Sequence, residues 1–348
     1  MRILYFGTFD PDYGRNWVII NGLRKNGVEV IEMRRKPKRG ALVKLFFDCI
    51  LKHPRFDAMI VGFPGQEVMF LARMLTRKPI IFDAFTSHYG GYILNRKRFS
   101  PKSLRAKYFR FLDKYSSKLA DVVLLESNAY IDFFVKEYGI DKNKFRRIWI
   151  GANTDIFHPS ATKRANDGMF NVLFFGTYVP VQGTEYIIRA AKILESENIH
   201  FTLCGTGQDF KKTRDLALEL NLKNITFHGM LSKDRVREEL EKADVSLGNF
   251  GNTPLSPLIV SNKVYEALAM AKPVITADMP ANHELFEKDD VVMVPVADPK
   301  ALSDAIMMLK NSPELRKQIA DNGYNKFIKC AAPEIIGTEV LKIIKKLS

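Results

Sequence analysis

The sequence predicts an α/β protein built from two doubly wound parallel sheets that face each other across a cleft. Its 348 residues are enough for two domains of ordinary size. Short β-branched or aromatic runs alternate with amphipathic stretches, a pattern typical of parallel sheets covered on both faces. The alternation stops in the polar segment 155–169, which contains Pro159 and Gly168, and then starts again. This interruption predicts the linker between the domains.

Six apolar runs in the first half predict six strands, and helices are expected between them. The predicted strands are 3–7, 28–33, 58–62, 79–83, 122–126 and 145–150, and clear helical stretches are 16–27, 67–78 and 128–139. Six further runs follow in the second half, at 169–176, 200–205, 224–229, 243–248, 272–277 and 290–295. We therefore expect a first domain over 1–160 and a second over 166–322, with helical sequence from about 313 to 347.

Several classes of protein are excluded by simple features of the chain. The three cysteines, Cys49, Cys204 and Cys330, lie far apart and have no metal-ligand spacing. We expect neither a disulfide framework nor a structural zinc, and a cytoplasmic location. The first residues predict a buried strand rather than a signal peptide. No apolar run approaches the roughly 18 residues that a membrane-spanning helix needs.

The positive charge is concentrated in the first half of the chain. The net charge is +14, with 53 Lys and Arg against 39 Asp and Glu. Residues 1–165 contain 31 basic and 15 acidic residues, whereas residues 166–348 contain 22 and 24. Such an asymmetry indicates that the first half meets an anionic partner: a nucleic acid, an acidic membrane or a phosphorylated substrate.

Two glycine turns in the second half follow predicted strands and precede predicted helices. Turns of this kind let the backbone approach a phosphate at a helix N-terminus, but they also simply cap helices. They match neither the dinucleotide fingerprint nor a P-loop. Their residues are Gly176, Thr177, Gln182 and Gly183 in the first turn, and Gly205, Thr206 and Gly207 in the second.

A third feature is the segment 256–278, in which Ser261 or Asn262 can cap a helix that carries Lys263 and Glu266. A carboxylate here either favours the helix dipole or accepts hydroxyl protons from a ribose. The lysine could neutralise a diphosphate.

In order and spacing, four sequences resemble the donor-binding half of the retaining GT-B glycosyltransferases of family 4, the glycosyl transferases group 1. They are NVLFFGTYVPVQGTEYIIRAA, LCGTGQDF, ITFHGMLSKDRVREELEKADVSL and NKVYEALAMAKPVITAD. IWIGANTDIFHP resembles the sequence that closes the family's first domain, and DPDYGRNWVIINGLRKNGVEV its first loop and helix. The resemblance implies two Rossmann-like domains, with the C-terminal segment 323–348 returning toward the first.

The resemblance also implies a set of donor-binding residues in the second domain. A nucleotide sugar would contact both glycine turns together with Asn262, Lys263, Val264 and Glu266, of which Glu266 would bind the ribose. Three positions depart from the family pattern, because Thr177, Gln182 and Leu258 replace an arginine, a lysine and a first glutamate. Lys263 is then the candidate that supplies charge for the diphosphate.

Four residues of the first half are candidates by the same resemblance. Gly14 and Arg15 occupy the family's glycine-containing loop, where Arg15 either reaches the diphosphate or is a surface arginine. Asp83 and His88 follow the strand PIIFD, near the place of a family histidine close to the reacting sugar. His88 is offset from that place and could be a structural histidine, whereas Asp83 is the better positional match.

Two basic segments are candidates for an acceptor or membrane face. Cations interleaved with aromatic residues suit an anionic bilayer or single-stranded nucleic acid, and otherwise form a solvated helix face. The resemblance favours a membrane over nucleic acid. The residues are Arg34, Arg35, Lys36, Lys38 and Arg39 in the first segment, and Arg96, Lys97, Arg98, Lys102 and Arg105 in the second.

The resemblance implies a retaining, metal-independent glycosyltransferase. It would move a sugar from a nucleotide-sugar donor to a hydroxyl of a lipid-linked or glycan acceptor at the membrane surface, without a cofactor. A nucleotide-sugar epimerase or hydrolase on the same fold, and a catalytically inactive relative that binds nucleotide sugars, remain alternatives. The three departures favour the inactive relative, whereas the basic face counts against the epimerase.

Overall fold

The computed structural model describes residues 1–160 and 168–347, which fall into two compact units. Unit 1 comprises Met1–Asn153 and Cys330–Ser348, and unit 2 comprises Thr154–Lys329. The first boundary therefore precedes the predicted linker, of which residues 161–167 lie outside the described part of the chain. The position predicted for the second boundary, residue 323, lies inside a helix, and unit 1 resumes only at Cys330.

Unit 1 is a six-stranded parallel sheet with the strand order β2-β1-β3-β4-β5-β6. Its strands are β1 (Arg2–Gly7), β2 (Glu29–Arg34), β3 (Ala58–Val61), β4 (Ile80–Phe85), β5 (Val122–Leu125) and β6 (Phe145–Arg147). Its first five helices are α1 (Gly14–Lys25), α2 (Ala41–Lys52), α3 (Val68–Leu75), α4 (Leu104–Leu119) and α5 (Asn128–Tyr138). A short π-helical segment, Gly90–Asn95, precedes α4.

The chain ends of unit 1 pack together on one helix pair. The last helix, α13 (Pro333–Lys345), lies against α1. A Cβ on Gly22 would lie 2.1 Å from the Pro333 carbonyl oxygen, so the backbones of the two helices touch there. Lys25 also pairs with Glu334 at 2.5 Å.

Unit 2 is a second six-stranded parallel sheet, with the order β12-β11-β10-β7-β8-β9. Its strands are β7 (Phe170–Gly176), β8 (Ile199–Gly205), β9 (Ile225–His228), β10 (Val245–Leu247), β11 (Val274–Ala277) and β12 (Val292–Val294). Its helices are α6 (Thr184–Ile193), α7 (Phe210–Glu219), α8 (Lys233–Lys242), α9 (Asn262–Ala269), α10 (Pro280–His283), α11 (Pro299–Asn311) and α12 (Pro313–Cys330). Short 3₁₀ turns at Pro180–Gln182 and Ser256–Leu258 precede α6 and α9.

The two sheets confirm the predicted fold class, and each of the twelve predicted strands overlaps an observed one. The central strands are mostly apolar and largely buried, because helices cover both faces. In unit 2, for example, Val172, Phe174, Phe201 and Leu203 are fully buried. No helix within 1–160 or 168–347 has the length and apolar character needed to cross a bilayer.

Candidate functional site

The strand order of unit 2 places a candidate ligand-binding site at the carboxyl ends of β7 and β10. From β7, the chain winds first through β8 and β9 on one side, and then through β10, β11 and β12 on the other. The winding direction of the chain therefore reverses between the adjacent strands β7 and β10. Ligands of doubly wound sheets bind at such a switch point.

The two predicted glycine turns lie side by side at this edge. Gly176 and Gly205 are register partners at the ends of β7 and β8. A Cβ on Gly205 would lie 1.9 Å from the Gly176 carbonyl oxygen, and a Cβ on Gly207 would lie 1.7 Å from the carbonyl oxygen of Thr177. These glycines are needed for contact between the turns themselves, while the exposed Thr177, Thr206 and Gly207 remain open to solvent.

A third turn, which the sequence analysis did not use, joins the first one through its backbone. This turn, Gly248–Asn249–Phe250–Gly251, directly follows β10. Phe250 N–H donates to the Gln182 carbonyl oxygen and Gly251 N–H to that of Val181, each at 3.1 Å. Gly183 has φ +62°, and a Cβ there would lie 2.4 Å from Gly251 N. The sequence contained a signal for this turn, because the two glycines of GNFG lie at the end of a predicted strand, as those of the other two turns do.

Gln182 occupies the position where the resemblance implies a cation. Its side chain is buried and lies against Gly176, where an added Cβ would come within 2.7 Å of Gln182 Nε2. Gln182 Oε1 is buried and has no hydrogen-bond partner among the residues that the structure describes. The first turn thus offers amide groups rather than a charge.

Lys263 brings a buried ammonium group to the same edge. It lies in the first turn of α9, is 4% exposed, and donates from Nζ to Asn249 Oδ1 at 3.0 Å. The ammonium also lies 4.4 Å from the ring centroid of Phe174 on β7. Within the described part of the chain, Lys263 forms no salt bridge. Burial lowers its pKa to about 7, although the charge of Glu266 acts in the opposite direction.

Glu266 follows Lys263 by three residues, and hence lies near it on the same side of α9. Burial raises the pKa of the carboxyl group to about 7, against the opposing charges of Lys233 and Lys263. Asn262 is partly exposed at the start of α9, and Val264 N–H donates to the Ser261 carbonyl oxygen. Two ionisable groups whose pKa values approach neutrality from opposite sides are typical of functional sites.

Unit 1 joins two of the predicted site residues, Arg15 and Asp83, in its interior. Arg15 and Asp83 are both fully buried and form an ion pair, with Arg15 Nη2 at 2.7 Å from Asp83 Oδ1. Arg15 Nη1 also donates to the carbonyl oxygens of Ile148 and Trp149 at 2.6 and 3.0 Å. Burial opposes the charge of Arg15, yet Asp83 keeps its pKa above the usual value. Arg15 is therefore a buried residue and not a surface arginine, and Asp83 is its counter-ion.

The same contacts explain why β6 ends early. The predicted strand 145–150 is observed only as Phe145–Arg147. The carbonyl oxygens of Ile148 and Trp149 accept from the Arg15 side chain instead. Gly14, the neighbour of Arg15, is partly buried as the first residue of α1.

His88 lines a cavity of about 740 Å³ at the carboxyl ends of β1, β3 and β4. Burial lowers its pKa, opposed by the charges of Asp113 and Glu67. Nδ1 is buried, and the described residues offer it no hydrogen-bond partner. Lys38, Arg39 and Tyr92 also line the cavity. His88 thus lies on an open cavity together with two residues of the predicted basic face, Lys38 and Arg39.

A buried carboxylate that the sequence analysis missed holds the loop of His88. Asp113 accepts from the backbone N–H groups of His88 and Tyr89 at 3.0 and 2.9 Å. It also accepts from the hydroxyl groups of Ser87 and Tyr138 at 2.7 and 2.9 Å. Burial raises the pKa of Asp113, partly offset by the charge of His88 and these hydrogen bonds. Asp113 lies on α4, 25 residues from His88, so no local pattern pointed to it.

The predicted basic face lies entirely on unit 1, and nearly all of its side chains are exposed. Arg35 pairs with Asp48, whereas Lys38 and Arg39 precede α2 at the rim of the cavity. Cations also pack on aromatic rings, as Arg105 does on Phe99 at 4.6 Å. The remaining members are Arg34, Lys36, Arg96, Lys97, Arg98 and Lys102.

Sequence comparison identifies relatives of the chain. Residues 159–326, just under half of it, match the family described as glycosyl transferases group 1. An uncharacterized glycosyltransferase of Methanocaldococcus jannaschii is 27% identical over the whole chain and 90% of its own length. The O-antigen chain mannosyltransferase RfbU of Salmonella typhimurium is 26% identical over 60% of this chain and 56% of its own.

Solved structures share the fold over nearly the whole chain. Sucrose-phosphate synthase from Thermosynechococcus elongatus superposes with a TM-score of 0.76 at 16% identity, covering 99% of this chain and 98% of its own. Anabaena HepE, solved in complex with UDP-glucose, gives 0.74 at 16% identity, covering 99% and 100%. Together with the two parallel sheets, these similarities show that the chain has the GT-B fold of glycosyltransferases, and that its residues 159–326 match the glycosyl transferases group 1.

Proposed function

We propose that the protein transfers a sugar from a nucleotide-sugar donor, bound by unit 2, to an acceptor hydroxyl bound by unit 1. The observation that carries this proposal is the placement of Lys263 at the switch point of unit 2. Its ammonium is buried, forms no salt bridge with the described residues, and donates to Asn249 in the turn after β10. A buried cation that forms no salt bridge is costly unless an anion binds it.

A nucleoside diphosphate has the chemistry that this edge needs. Its diphosphate would take the charge of Lys263 and the backbone N–H groups of the turns at Thr177 and Thr206. Glu266 would accept hydrogen bonds from two ribose hydroxyls. UDP is the first nucleotide to test, since the structural neighbour HepE is solved with UDP and with UDP-glucose.

Departure of the diphosphate is the step that the site would promote. The bond between the anomeric carbon and the diphosphate oxygen breaks, and the charge that develops on the leaving group is stabilised by Lys263 and the turn amides. We propose that this needs no metal and no cofactor, and that the acceptor oxygen attacks from the face that the diphosphate leaves, with retention. The acceptor proton would pass to the leaving oxygen.

The cavity of unit 1 is the proposed acceptor site. Its 740 Å³ is in the range of ligand pockets, and it combines apolar walls with Lys38, Arg39 and His88. His88 Nδ1 would hydrogen-bond the acceptor. We propose a lipid-linked or glycan acceptor that the protein meets as a peripheral protein on the cytoplasmic face of an anionic membrane. Residues 34–118 support this, since they contain 20 Lys and Arg against five Asp and Glu.

The proposal is tested first by nucleotide binding and then by turnover. A thermal-shift panel would compare UDP, GDP, ADP and TDP, each with EDTA and with Mg²⁺; a ligand at 100 times its Kd stabilises a protein by about 2.7 kcal/mol. A shift for one base that is insensitive to EDTA is expected. A protein that binds a nucleotide sugar but neither hydrolyses it nor transfers its sugar would instead be the inactive relative. Gln182, which stands in place of a cation, supports that alternative.

Glu266→Gln tests the site itself. The variant should lose nucleotide affinity and keep the fold, because an amide accepts ribose hydroxyls less strongly than a carboxylate. Glu219→Gln, an exposed change at the end of α7, is the matched control. Equal affinity of both variants for the stabilising nucleotide would refute the assignment of Glu266.

A further inference from the structure

Unit 1 leaves an unusual amount of apolar surface uncovered on three neighbouring helices. The described chain exposes seventeen large apolar side chains, and nine of them lie on α2, α3 and α4. They are Val43, Phe47, Ile50, Leu51, Met74, Leu104, Tyr108, Phe111 and Tyr115. We call this set the exposed apolar face.

The spacing of these residues shows that each outer helix presents a continuous stripe. On α2, positions 43, 47, 50 and 51 recur at helical period, opposite the buried Ala41 and Leu45. On α4, positions 104, 108, 111 and 115 do the same, opposite the buried Ala106 and Asp113. A solvated helix carries polar residues at such positions, whereas α2 and α4 expose apolar side chains there.

Contacts across α3 join the two stripes into one surface. The helix α3 packs against both α2 and α4. The ring of Phe70 on α3 stacks on Phe111 of α4, with centroids 6.0 Å apart. Tyr108 donates its hydroxyl proton to Glu67, just before α3, at 3.0 Å. Val43 and Val68 line the same cavity, which connects α2 to α3.

The charges around the face have almost one sign. Of the five acidic residues in 34–118, Asp83 and Asp113 are buried and Asp48 pairs with Arg35. The twenty basic residues of that segment include Lys44 and Lys52 on α2. Lys107, Lys114 and Lys118 lie along α4 beside its stripe. An apolar stripe bordered by lysine and arginine is the pattern of helices that lie in the interface of an anionic bilayer.

From this combination we propose that α2, α3 and α4 insert their exposed apolar face into the surface of an anionic membrane. This inference deepens the proposed function and rests on it for the role of the membrane. It adds that the contact is apolar insertion, not adsorption by the predicted basic segments alone. Five of the nine side chains are aliphatic or Met, which acyl chains accommodate and on which nucleic-acid bases cannot stack. A second copy of the chain would bring two cationic faces together.

The test is sedimentation with vesicles, using full-length protein. The wild type should bind vesicles of mixed phosphatidylglycerol and phosphatidylcholine but not of phosphatidylcholine alone, and some binding should persist at about 1 M salt, where the Debye length is near 3 Å. Phe47→Ser/Leu51→Ser and Leu104→Ser/Phe111→Ser should each weaken binding at least roughly tenfold, as expected for the loss of two apolar anchors.

Leu218→Ser/Met230→Ser is the matched control, since these residues of unit 2 are 72% and 65% exposed and lie off the face. This variant should bind as the wild type does. Vesicle binding that all variants share, or that salt abolishes completely, would overturn insertion. So would a wild-type dimer that the α2 or α4 variants dissociate, because a second copy would then cover the face. Nucleotide-induced thermal shifts of the same variants should equal those of the wild type, so a failed membrane test leaves the donor site separately testable.

Discussion

Replacing Lys263 by methionine separates two consequences of one buried charge. Methionine keeps the length of the apolar stem but has no ammonium group. The free protein no longer has to bury a cation, whereas the nucleotide loses the cation that would meet its diphosphate. The variant should therefore be more stable without ligand and bind nucleotide more weakly.

The magnitude follows from the pKa of Lys263. Burial lowers it from 10.5 to about 7, which corresponds to a cost on the order of 4 kcal/mol at pH 7. Methionine removes this cost but leaves Asn249 Oδ1 without its donor at 3.0 Å, a loss of about 1–3 kcal/mol. We expect a net gain of about 2 kcal/mol in the free energy of unfolding at pH 7. UDP affinity should fall roughly 10- to 100-fold, as for loss of a charge-assisted hydrogen bond.

The pH dependence of stability supplies an independent check. Between pH 7 and 10.5 the unfolded chain holds the Lys263 proton more firmly than the folded one, so stability rises with pH in this window. Glu266 has its pKa raised from 4.5 to about 7, so the folded state binds more protons between these values and stability falls. Together the two groups produce a stability minimum near pH 7. Lys263→Met should remove the rise above it and keep the fall below it.

The assays are urea unfolding from pH 5 to 10 and calorimetric titration with UDP. Lys317→Met is the control, because Lys317 is an exposed lysine of α12 that pairs with Asp321 at 2.6 Å. Lower stability of Lys263→Met than of the wild type at pH 7 would refute the costly buried charge. An unchanged Kd for UDP, in a wild type that binds it, would refute the contact with the diphosphate.

Three further changes test the rest of the structure. Arg15→Met leaves Asp83 buried without its cation and should cost about 3–5 kcal/mol in urea unfolding; a cost below about 1 kcal/mol would contradict the ion pair. Asp113→Asn removes a charge that raises the pKa of His88, so that pKa should fall further in an NMR titration of the ring; a rise would show that Asp113 does not act on His88. Gly183→Ala places a Cβ 2.4 Å from the backbone of the turn after β10 at φ +62°, and should lower both thermal stability and nucleotide affinity; wild-type values for both would show that the turns tolerate separation.

Local patterns in the sequence predicted much of the fold. The apolar runs identified all twelve strands, since a strand buried on both faces is apolar at consecutive positions. The glycine turns were also visible, because glycine marks the points where backbones approach closely. The structure adds that the turns contact one another, as Gly207 does with Thr177.

The sequence could not show which charged side chains form ion pairs inside the protein. Arg15 and Asp83 are 68 positions apart, and each taken alone has the pattern of a ligand-binding residue at the end of a strand or the start of a helix. Only the folded chain reveals that they neutralise each other. Lys263 has the opposite outcome, because its neighbours Asn249 and Phe174 bury the ammonium without balancing its charge.

For the same reason, the sequence could not predict the exposed apolar face. Sequence alone places basic residues beside apolar ones in 34–56 and 95–115, but it does not say which side of α2 or α4 meets the sheet. The packing of α3 between them turns Phe47 and Phe111 outward. Periodicity is a property of neighbouring residues and determines the strands and the helices. The partner of a charge and the covering of an apolar side chain depend on residues far apart in sequence, and the tertiary structure alone decides them.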